Sequence, residues 1–204
     1  MRLGLLSDTH LPNRTFGAWD AVLEGLRGVD LILHAGDIQA PGVLDSLETV
    51  APVVAALGNN DHGVLRDDPR VKPTQVLELE GWRVGLIHDL EPEDRPIKDL
   101  IRNHFNEDLD LVVSGHTHWE RLALRGGVVH LNPGSPNLPR NYSHRLGVVG
   151  IIDLTPKTIS ARIVSLGELP GLVNPSKPLS LEGERGPLGT TVAGSLDFAP
   201  APVG

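Results

Sequence analysis

The segment RLGLLSDTH, residues 2–10, joins a continuous apolar run to a carboxylate and an imidazole that follow it directly. An apolar run without alternation is typical of a strand buried on both faces of a sheet. Two later segments have the same form, LILHAGD at residues 31–37 and VVAALGNND at residues 53–61. Apolar residues at helical spacing lie between them, at Trp19–Leu26 and Pro41–Glu48. This order predicts a β-α-β-α-β unit with parallel strands and right-handed crossovers.

The pattern changes after residue 61, where hairpins become more frequent than helix-linked strands. The further predicted elements are a hairpin around Gly81 (Gln75–Glu80 and Trp82–His88), a helix at Pro96–Phe105, and strands at Leu109–Ser114, Arg121–Leu124, Val128–Leu131, Leu146–Leu154 and Thr158–Leu166. Helix-linked strands followed by hairpins predict an α/β protein in which two β-sheets pack together with helices outside.

The chain divides into two parts by composition. Residues 1–166 carry nearly all of the predicted elements and are expected to form one domain. From residue 167 onward Pro and Gly are frequent and large apolar residues are few. We expect residues 167–204 to be an extended or disordered C-terminal tail.

Composition excludes several classes of function. The 204 residues include 18 basic and 26 acidic side chains, a formal net charge of −8, which argues against a nucleic-acid-binding surface. A phosphorylated substrate is still compatible with this charge if bound cations reverse it locally. The chain has no cysteine, so thiolate chemistry is excluded. No apolar run is long enough to cross a membrane, and we expect a cytoplasmic protein without a membrane partner.

Short polar motifs follow four of the predicted strands. They are Asp8-Thr9-His10, Gly36-Asp37, Gly58-Asn59-Asn60-Asp61 and Gly115-His116-Thr117-His118. Ligands collect at strand ends in open α/β sheets. In extended chain, residues i and i+2 point the same way, so Asp8 and His10 can converge on one cation. Oxygen and imidazole ligands from several strands predict a metal site, with enough ligands for two ions.

Three of the four motifs also have a structural interpretation when taken alone, whereas the two imidazoles of Gly115–His118 follow a buried strand and are costly there without a ligand. The segment Asp8–His10 fits a turn with an exposed histidine, Asp37 fits a helix N-cap, and Gly58–Asp61 fits a plain turn. His88 ends an apolar strand and fits a packed core histidine. Together and in this order, the motifs favour metal binding. His34, which lies within a strand, is predicted to be structural or to orient a ligand.

The ordered motifs, with His88 and the turn Asn132-Pro133-Gly134-Ser135, resemble the calcineurin-like metallophosphoesterases, and among them the small YfcE-like phosphodiesterases. The resemblance extends from Met1 to about Leu166. It implies a four-layer α-β-β-α sandwich and two divalent metal ions. The ligands it implies are Asp8, His10 and His118 for one ion, Asn59, His88 and His116 for the other, and Asp37 as the bridge between them.

The implied ligand atoms are nitrogen and oxygen, without thiolate. Such a set suits Mn²⁺, Fe²⁺, Ni²⁺ or Zn²⁺ and does not choose between them, and Mn²⁺ is the first expectation. The resemblance also implies a small phosphodiester or nucleotide-like substrate, and a homodimer or tetramer as the assembly.

The chain departs from larger family members at two positions. Asn60 stands where they have the histidine of G-N-H-E/D, and an amide can donate a hydrogen bond but not a proton. The strand end His88–Leu90 lacks the second histidine of their H-G-H motif. The first departure predicts a preference for good leaving groups, or a general acid such as His62. Arg14 and, less strongly, Arg140 are candidates for binding a phosphate oxygen, although both also fit ordinary surface positions.

The expected function is therefore a divalent-metal-dependent phosphodiesterase that hydrolyses phosphoester bonds with a hydroxide bridging two metals. Two alternatives remain. One is a metal-dependent phosphomonoesterase or nucleotidase at the same site, which the absent motif histidine disfavours. The other is a non-catalytic protein-binding scaffold on the same fold, which the intact ligand set disfavours.

Overall fold

The computed structural model describes residues 1–11, 18–92, 94–142, 145–186 and 189–195. These residues form three α-helices: α1 (Ala18–Gly25), α2 (Pro41–Leu47) and α3 (Ile97–Phe105). They also form thirteen strands: β1 (Arg2–Leu6), β2 (Leu31–His34), β3 (Val53–Ala56), β4 (Val71–Lys72), β5 (Thr74–Leu79), β6 (Trp82–Ile87), β7 (Leu111–Val113), β8 (Glu120–Arg125), β9 (Val128–Pro133), β10 (Val148–Leu154), β11 (Thr158–Ser165), β12 (Ser180–Gly186) and β13 (Gly189–Ser195).

The strands form two mixed sheets. The first has eight strands in the order β13-β12-β11-β10-β1-β2-β3-β4. Its strands β1 to β4 are parallel, as the predicted β-α-β-α-β unit requires, whereas β10 pairs with β1 antiparallel. The second sheet has five strands in the order β5-β6-β7-β9-β8, and its three central strands are parallel. The predicted hairpin is β5–β6, whose turn residues Glu80 and Gly81 both have positive φ.

Three apolar cores fill the spaces between the layers. The central core lies between the sheets and contains the fully buried Trp82. A second core joins α1 and α2 to the outer face of the first sheet through side chains such as Val22 and Leu44. A third joins α3 to the second sheet through Leu100 and Ile101. Burial of these aliphatic side chains, about 1.5–3 kcal/mol each, holds the layers together. The predicted four-layer α-β-β-α sandwich is confirmed.

The two sheets approach closely at one edge. The parallel strands β1, β2 and β3 end there, and so do β6 and β7 of the second sheet. His88, just after β6, has its Nδ1 atom 2.8 Å from the carbonyl oxygen of Ala35, just after β2. Gly115 is required at this junction, because a Cβ there would lie 1.7 Å from Ser7 Oγ. The loops that carry the polar motifs therefore meet across the two sheets.

The C-terminal segment differs from its prediction. Strands β12 and β13 form a hairpin that extends the first sheet, and β12 pairs antiparallel with β11. Residues 180–186 and 189–195 are therefore ordered sheet and not an unpacked tail. Sequence patterning did not indicate this, because the segment has no continuous apolar run, and among its described residues only Leu179 and Leu181 are buried large apolar side chains. Backbone hydrogen bonds to the edge of β11 hold the hairpin to the first sheet. The domain boundary at residue 166 stays a prediction.

Smaller differences concern short elements. The two-residue strand β4 was not predicted, because Val71 is followed directly by Lys72 and Pro73 and no apolar run marks it. The strand predicted at Leu109–Ser114 is shorter and comprises only β7.

No helix among the described residues is long and apolar enough to span a membrane. The predicted cytoplasmic location stays a prediction.

Candidate metal centre

The predicted ligands lie in loops with strained backbones. Five non-glycine residues of the candidate site have positive φ: Asp8 (54°), His10 (45°), Asp37 (58°), His116 (71°) and His118 (60°). Left-handed conformations cost about 1–3 kcal/mol for residues other than glycine, and they concentrate at functional sites. Such a concentration indicates that the fold holds these side chains in directions that an unconstrained chain would not choose.

One set of donor atoms comes from the loops after β1 and β7. We call Asp8, His10 and His118 the first donor group. The Nε2 atoms of His10 and His118 are 3.1 Å apart, and Oδ1 of Asp8 lies 4.0 Å from the former and 3.6 Å from the latter. Atoms at these separations can ligate one cation together.

A second set comes from the loops after β3, β6 and β7. We call Asn59, His88 and His116 the second donor group. Oδ1 of Asn59 lies 2.8 Å from His88 Nε2 and 3.0 Å from His116 Nδ1, and the two ring nitrogens are 3.2 Å apart. One amide oxygen and two imidazole nitrogens therefore converge on one point.

Asp37 lies between the two donor groups. Its Oδ2 atom is 3.3 Å from His10 Nε2, and its Oδ1 atom is 3.6 Å from His88 Nε2. Each carboxylate oxygen thus faces a different group, as a bridging ligand requires. The structure brings all seven predicted ligands into a single cluster.

The orientation of the imidazoles fits metal binding. His88 Nδ1 faces the carbonyl of Ala35 at 2.8 Å, and His118 Nδ1 faces the carbonyl of Leu138 at 3.0 Å. A carbonyl only accepts, so each Nδ1 carries the proton and each Nε2 presents a lone pair to the cluster. Oδ1 of Asp8 is a buried oxygen without a hydrogen-bond partner. Such an atom is costly unless a cation binds it, so the residues fit a metal.

Burial shapes the charge of the cluster. It lowers the pKa of His10, His88 and His118 below the usual imidazole value, so these rings are neutral at pH 7 and can act as ligands. Burial also raises the pKa of Asp8 well above its usual value. For Asp37, burial is outweighed by hydrogen bonds from Asn60 and by nearby histidines, and the net pKa is lowered.

Asp61 is a site residue to which the sequence analysis assigned no role. Its buried carboxylate accepts hydrogen bonds from four backbone N–H groups, those of Asp37, Ile38, Gln39 and Gly58, at 2.7–3.0 Å. It therefore ties the loop after β2 to the turn after β3. The only sequence signal was its place at the end of the Gly-Asn-Asn-Asp motif, where a turn residue is equally common.

The Asn132–Ser135 turn supports the site from behind. Ser135 Oγ donates to the carbonyl oxygen of Asp8 at 2.7 Å, and Asn132 Nδ2 donates to that of Gly115 at 2.7 Å. Asn137 Nδ2 donates to the carbonyl of Thr9 at 2.6 Å. The turn and the neighbouring Asn137 thus hold the backbone of the Asp8–His10 and Gly115–His118 motifs without supplying a ligand.

The predicted catalytic residues differ in their placement. Asn60 donates from its backbone N–H and from its side-chain amide to the two oxygens of Asp37, at 2.8 and 2.7 Å. His62 is exposed and precedes a short 3₁₀ turn, Gly63–Arg66. Arg14 lies outside the described residues. Arg140 pairs with the buried carboxylate of Glu120 and stacks over Trp119, 4.5 Å from the ring centroid.

His34 lies behind the metal cluster. Its Nε2 atom is 3.2 Å from Thr9 Oγ1, and its Nδ1 accepts the N–H of Gly36 at 3.2 Å. Burial lowers the pKa of His34 to about 4, so the ring is neutral. The predicted structural role agrees with this position.

Comparison with known proteins identifies the family. A family model described as the calcineurin-like phosphoesterase superfamily domain matches residues 1–156. A probable metallophosphoesterase of Methanothermobacter thermautotrophicus is 40% identical over 140 residues, which are 69% of this chain and 80% of that protein. The phosphodiesterase YfcE of Escherichia coli K12 is 31% identical over 190 residues, 80% of this chain and 97% of that protein.

The fold is also found among solved structures. Vps29 of Entamoeba histolytica, determined in complex with Zn²⁺, has a TM-score of 0.63 and 19% sequence identity, and the match covers 95% of this chain and 98% of that chain. At this identity the likeness concerns the fold alone. From its sequence relatives, the chain belongs to the calcineurin-like phosphoesterase superfamily, as its motifs predicted. Its relatives support a phosphoesterase.

Proposed function

We propose that this protein is a phosphodiesterase that depends on two divalent metal ions. The observation that carries the proposal is the arrangement of two donor groups around the shared carboxylate of Asp37. The buried oxygen of Asp8, which has no hydrogen-bond partner, is a second observation that supports a bound cation. The similarity to the phosphodiesterase YfcE of Escherichia coli supports the choice of a diester substrate.

The first donor group would hold one ion and the second donor group the other, with Asp37 in contact with both. Two such ions, when bound, supply an attacking nucleophile at neutral pH and stabilise negative charge on the phosphoryl group. Mn²⁺ is the metal we propose, and Ni²⁺, Fe²⁺ and Zn²⁺ can also bind to such a mixed set of nitrogen and oxygen ligands.

The chain itself positions the reacting groups. Asn60 holds the carboxylate of Asp37 through two hydrogen bonds, which fixes the bridge without using both amide protons of its side chain. Its second amide N–H can then donate to a phosphoryl oxygen. Neither Asn60 nor Asp37 supplies a proton to the leaving oxygen at neutral pH. We therefore propose that good leaving groups are preferred, and that exposed His62 is the first candidate for a general acid.

The exposed side of the cluster gives a substrate access. Asn59 and Asn60 are exposed and His116 is half-buried, whereas Asp8, Asp37 and His88 are buried. A small phosphodiester can therefore reach the donor atoms from one side, while the opposite side is closed by the two sheets. Small diesters and nucleotide-like molecules fit such an open edge.

Activity with chromogenic esters tests the proposal. With Mn²⁺, the protein is expected to hydrolyse bis-p-nitrophenyl phosphate faster than p-nitrophenyl phosphate, and a chelator should abolish turnover. Asp37→Ala should lower kcat by at least about 100-fold, because both ions lose a ligand. Asp20→Ala, at an exposed position on α1, is the matched control and should retain activity. Faster monoester hydrolysis would favour a phosphomonoesterase. An absence of both bound metal and turnover would favour a scaffold.

A further inference from the structure

Three imidazoles of the cluster are held at their second ring nitrogen, but not by the same kind of group. His88 and His118 each contact a backbone carbonyl, that of Ala35 and that of Leu138. His10 instead contacts a side-chain amide, that of Gln39, with 2.8 Å between His10 Nδ1 and Gln39 Nε2. His10 is therefore the one ligand of these three whose support can be changed by a single substitution.

The position of Gln39 is imposed by the fold. Its backbone has φ 69°, in the left-handed region, although it is not a glycine. Its N–H donates to Asp61 Oδ1 at 2.8 Å, which holds the strained residue in place. The result is that the side chain of Gln39 is directed toward His10 from the loop that also carries Asp37. A strained residue aimed at a ligand indicates a functional role.

A side-chain amide can form a hydrogen bond with either a protonated or an unprotonated imidazole nitrogen, whereas a backbone carbonyl can do so only with a protonated one. A backbone carbonyl accepts only, so it fixes the proton on the facing ring nitrogen. A glutamine can turn either its oxygen or its NH₂ group toward the ring. If His10 Nε2 gives its lone pair to a cation, the ring proton must sit on Nδ1 and needs an acceptor. Gln39 Oε1 can be that acceptor, in the place of the NH₂ group.

We propose that Gln39 is a positioning residue that holds His10 in its ligating tautomer and so sets the metal affinity of the first donor group. This inference rests on the proposed function, because it requires that the first donor group binds a metal. Partners of this kind typically change metal affinity by about 10–100-fold when they are removed. The second donor group, whose His88 is held by a backbone carbonyl, is not expected to depend on Gln39.

Calorimetric titration with Mn²⁺ tests the proposal. Wild-type protein is expected to bind two ions, and Gln39→Leu should weaken one of the two sites about 10–100-fold while the other is unchanged. Gln39→Glu keeps an acceptor oxygen at the same place, so this variant should bind both ions, unlike Gln39→Leu. Gln39→Asn tolerates the left-handed backbone but is too short to reach His10, so it should behave like Gln39→Leu. Gln75→Leu is the matched control, since the side-chain amide of Gln75 donates to the carbonyls of Ala55 and Arg70 and not to a residue of the two donor groups.

Nitrogen NMR of the Zn²⁺-loaded protein gives a readout that a merely structural role would not change. The spectrum of wild type should show His10 protonated at Nδ1, and the Gln39→Leu spectrum should show this signal weakened or exchanging. If Gln39→Leu and Gln39→Asn bound both Mn²⁺ ions with the wild-type affinities, the inference would be overturned and the proposed function would stay intact. If the wild-type protein bound no metal, the proposed function would fail first.

Discussion

At the scale of single residues, the direction of a side chain decides its role more than its identity does. Asp37 and Asp61 both follow a buried strand and a glycine-containing turn. The fold directs the carboxylate of Asp37 into the donor cluster, whereas that of Asp61 turns toward four backbone N–H groups. The sequence could not separate these roles, because either aspartate fits a turn or a metal site.

Substitution of Asp61 should loosen the site and the fold together. Asp61→Asn places an NH₂ donor against N–H groups that have no other acceptor, and we expect a loss of about 2–3 kcal/mol in the free energy of unfolding. Metal affinity should fall as well, because Asp37 is displaced. Urea denaturation and calorimetry measure the two effects. The control is Asp153→Asn, which weakens only exposed ion pairs with Arg2 and Arg162 and should cost less than about 1 kcal/mol. Equal losses in the two variants would contradict the role of Asp61.

At the scale of elements, the parallel core was predicted from the sequence, whereas the C-terminal hairpin was not. Continuous apolar runs identify β1, β2 and β3, because strands buried on both faces need such residues. The hairpin β12–β13 has no comparable run, and its attachment depends on partners distant in sequence. Arg185 stacks over Trp82, 4.1 Å from the ring centroid, and its guanidinium donates to Gly81 and Asp110. Sequence patterning detects burial of a face but not such long-range contacts.

Arg185 should therefore anchor the hairpin to the rest of the molecule. We expect Arg185→Ala to lower stability by about 1 kcal/mol, through loss of the cation–π contact and two hydrogen bonds. Amide hydrogen exchange of β12 should accelerate, while that of β1 stays slow. Arg27→Ala is the control, since Arg27 makes an exposed ion pair with Glu24 on the surface of the molecule. Unchanged exchange in β12 would show that the backbone pairing with β11 suffices.

At the scale of the whole molecule, the site exists only because two sheets are packed face to face. Each sheet supplies part of the cluster, and the central core sets their separation. Close packing around the site also buries polar residues that make no direct contact with the donor groups. Burial lowers the pKa of His34 to about 4, and it lowers that of His130 well below the usual imidazole value. Both rings are therefore neutral in the folded protein at pH 7.

Stability should decline as the pH falls. The folded pKa of His34 lies below its unfolded value of about 6.5, so protonation favours the unfolded chain. Its contribution is complete above about pH 6.5 and is lost progressively toward pH 4, on the order of 3 kcal/mol. His130 acts in the same direction. Measurement of Tm between pH 8 and pH 4 tests this.

Two variants separate His34 from other titrating groups. His34→Asn should flatten part of the decline, and His104→Asn, which removes an exposed imidazole on α3, is the control variant. The raised pKa of Asp8 acts in the opposite sense, so the difference between wild type and His34→Asn is the informative quantity. Identical profiles for wild type and His34→Asn would contradict the assignment.

The sequence by itself determined the family and the parallel core, because apolar runs and the polar motifs after them are local features. The seven proposed ligands followed from the resemblance to that family. Only the tertiary structure decided which atoms face one another. It turned Asn60 and Asp61 toward Asp37 and its loop, directed Gln39 to His10, and engaged Arg140 with Glu120. It also added the hairpin β12–β13 to the first sheet. These outcomes depend on the free energy of contacts between residues far apart in the chain, and a local sequence pattern does not specify such contacts.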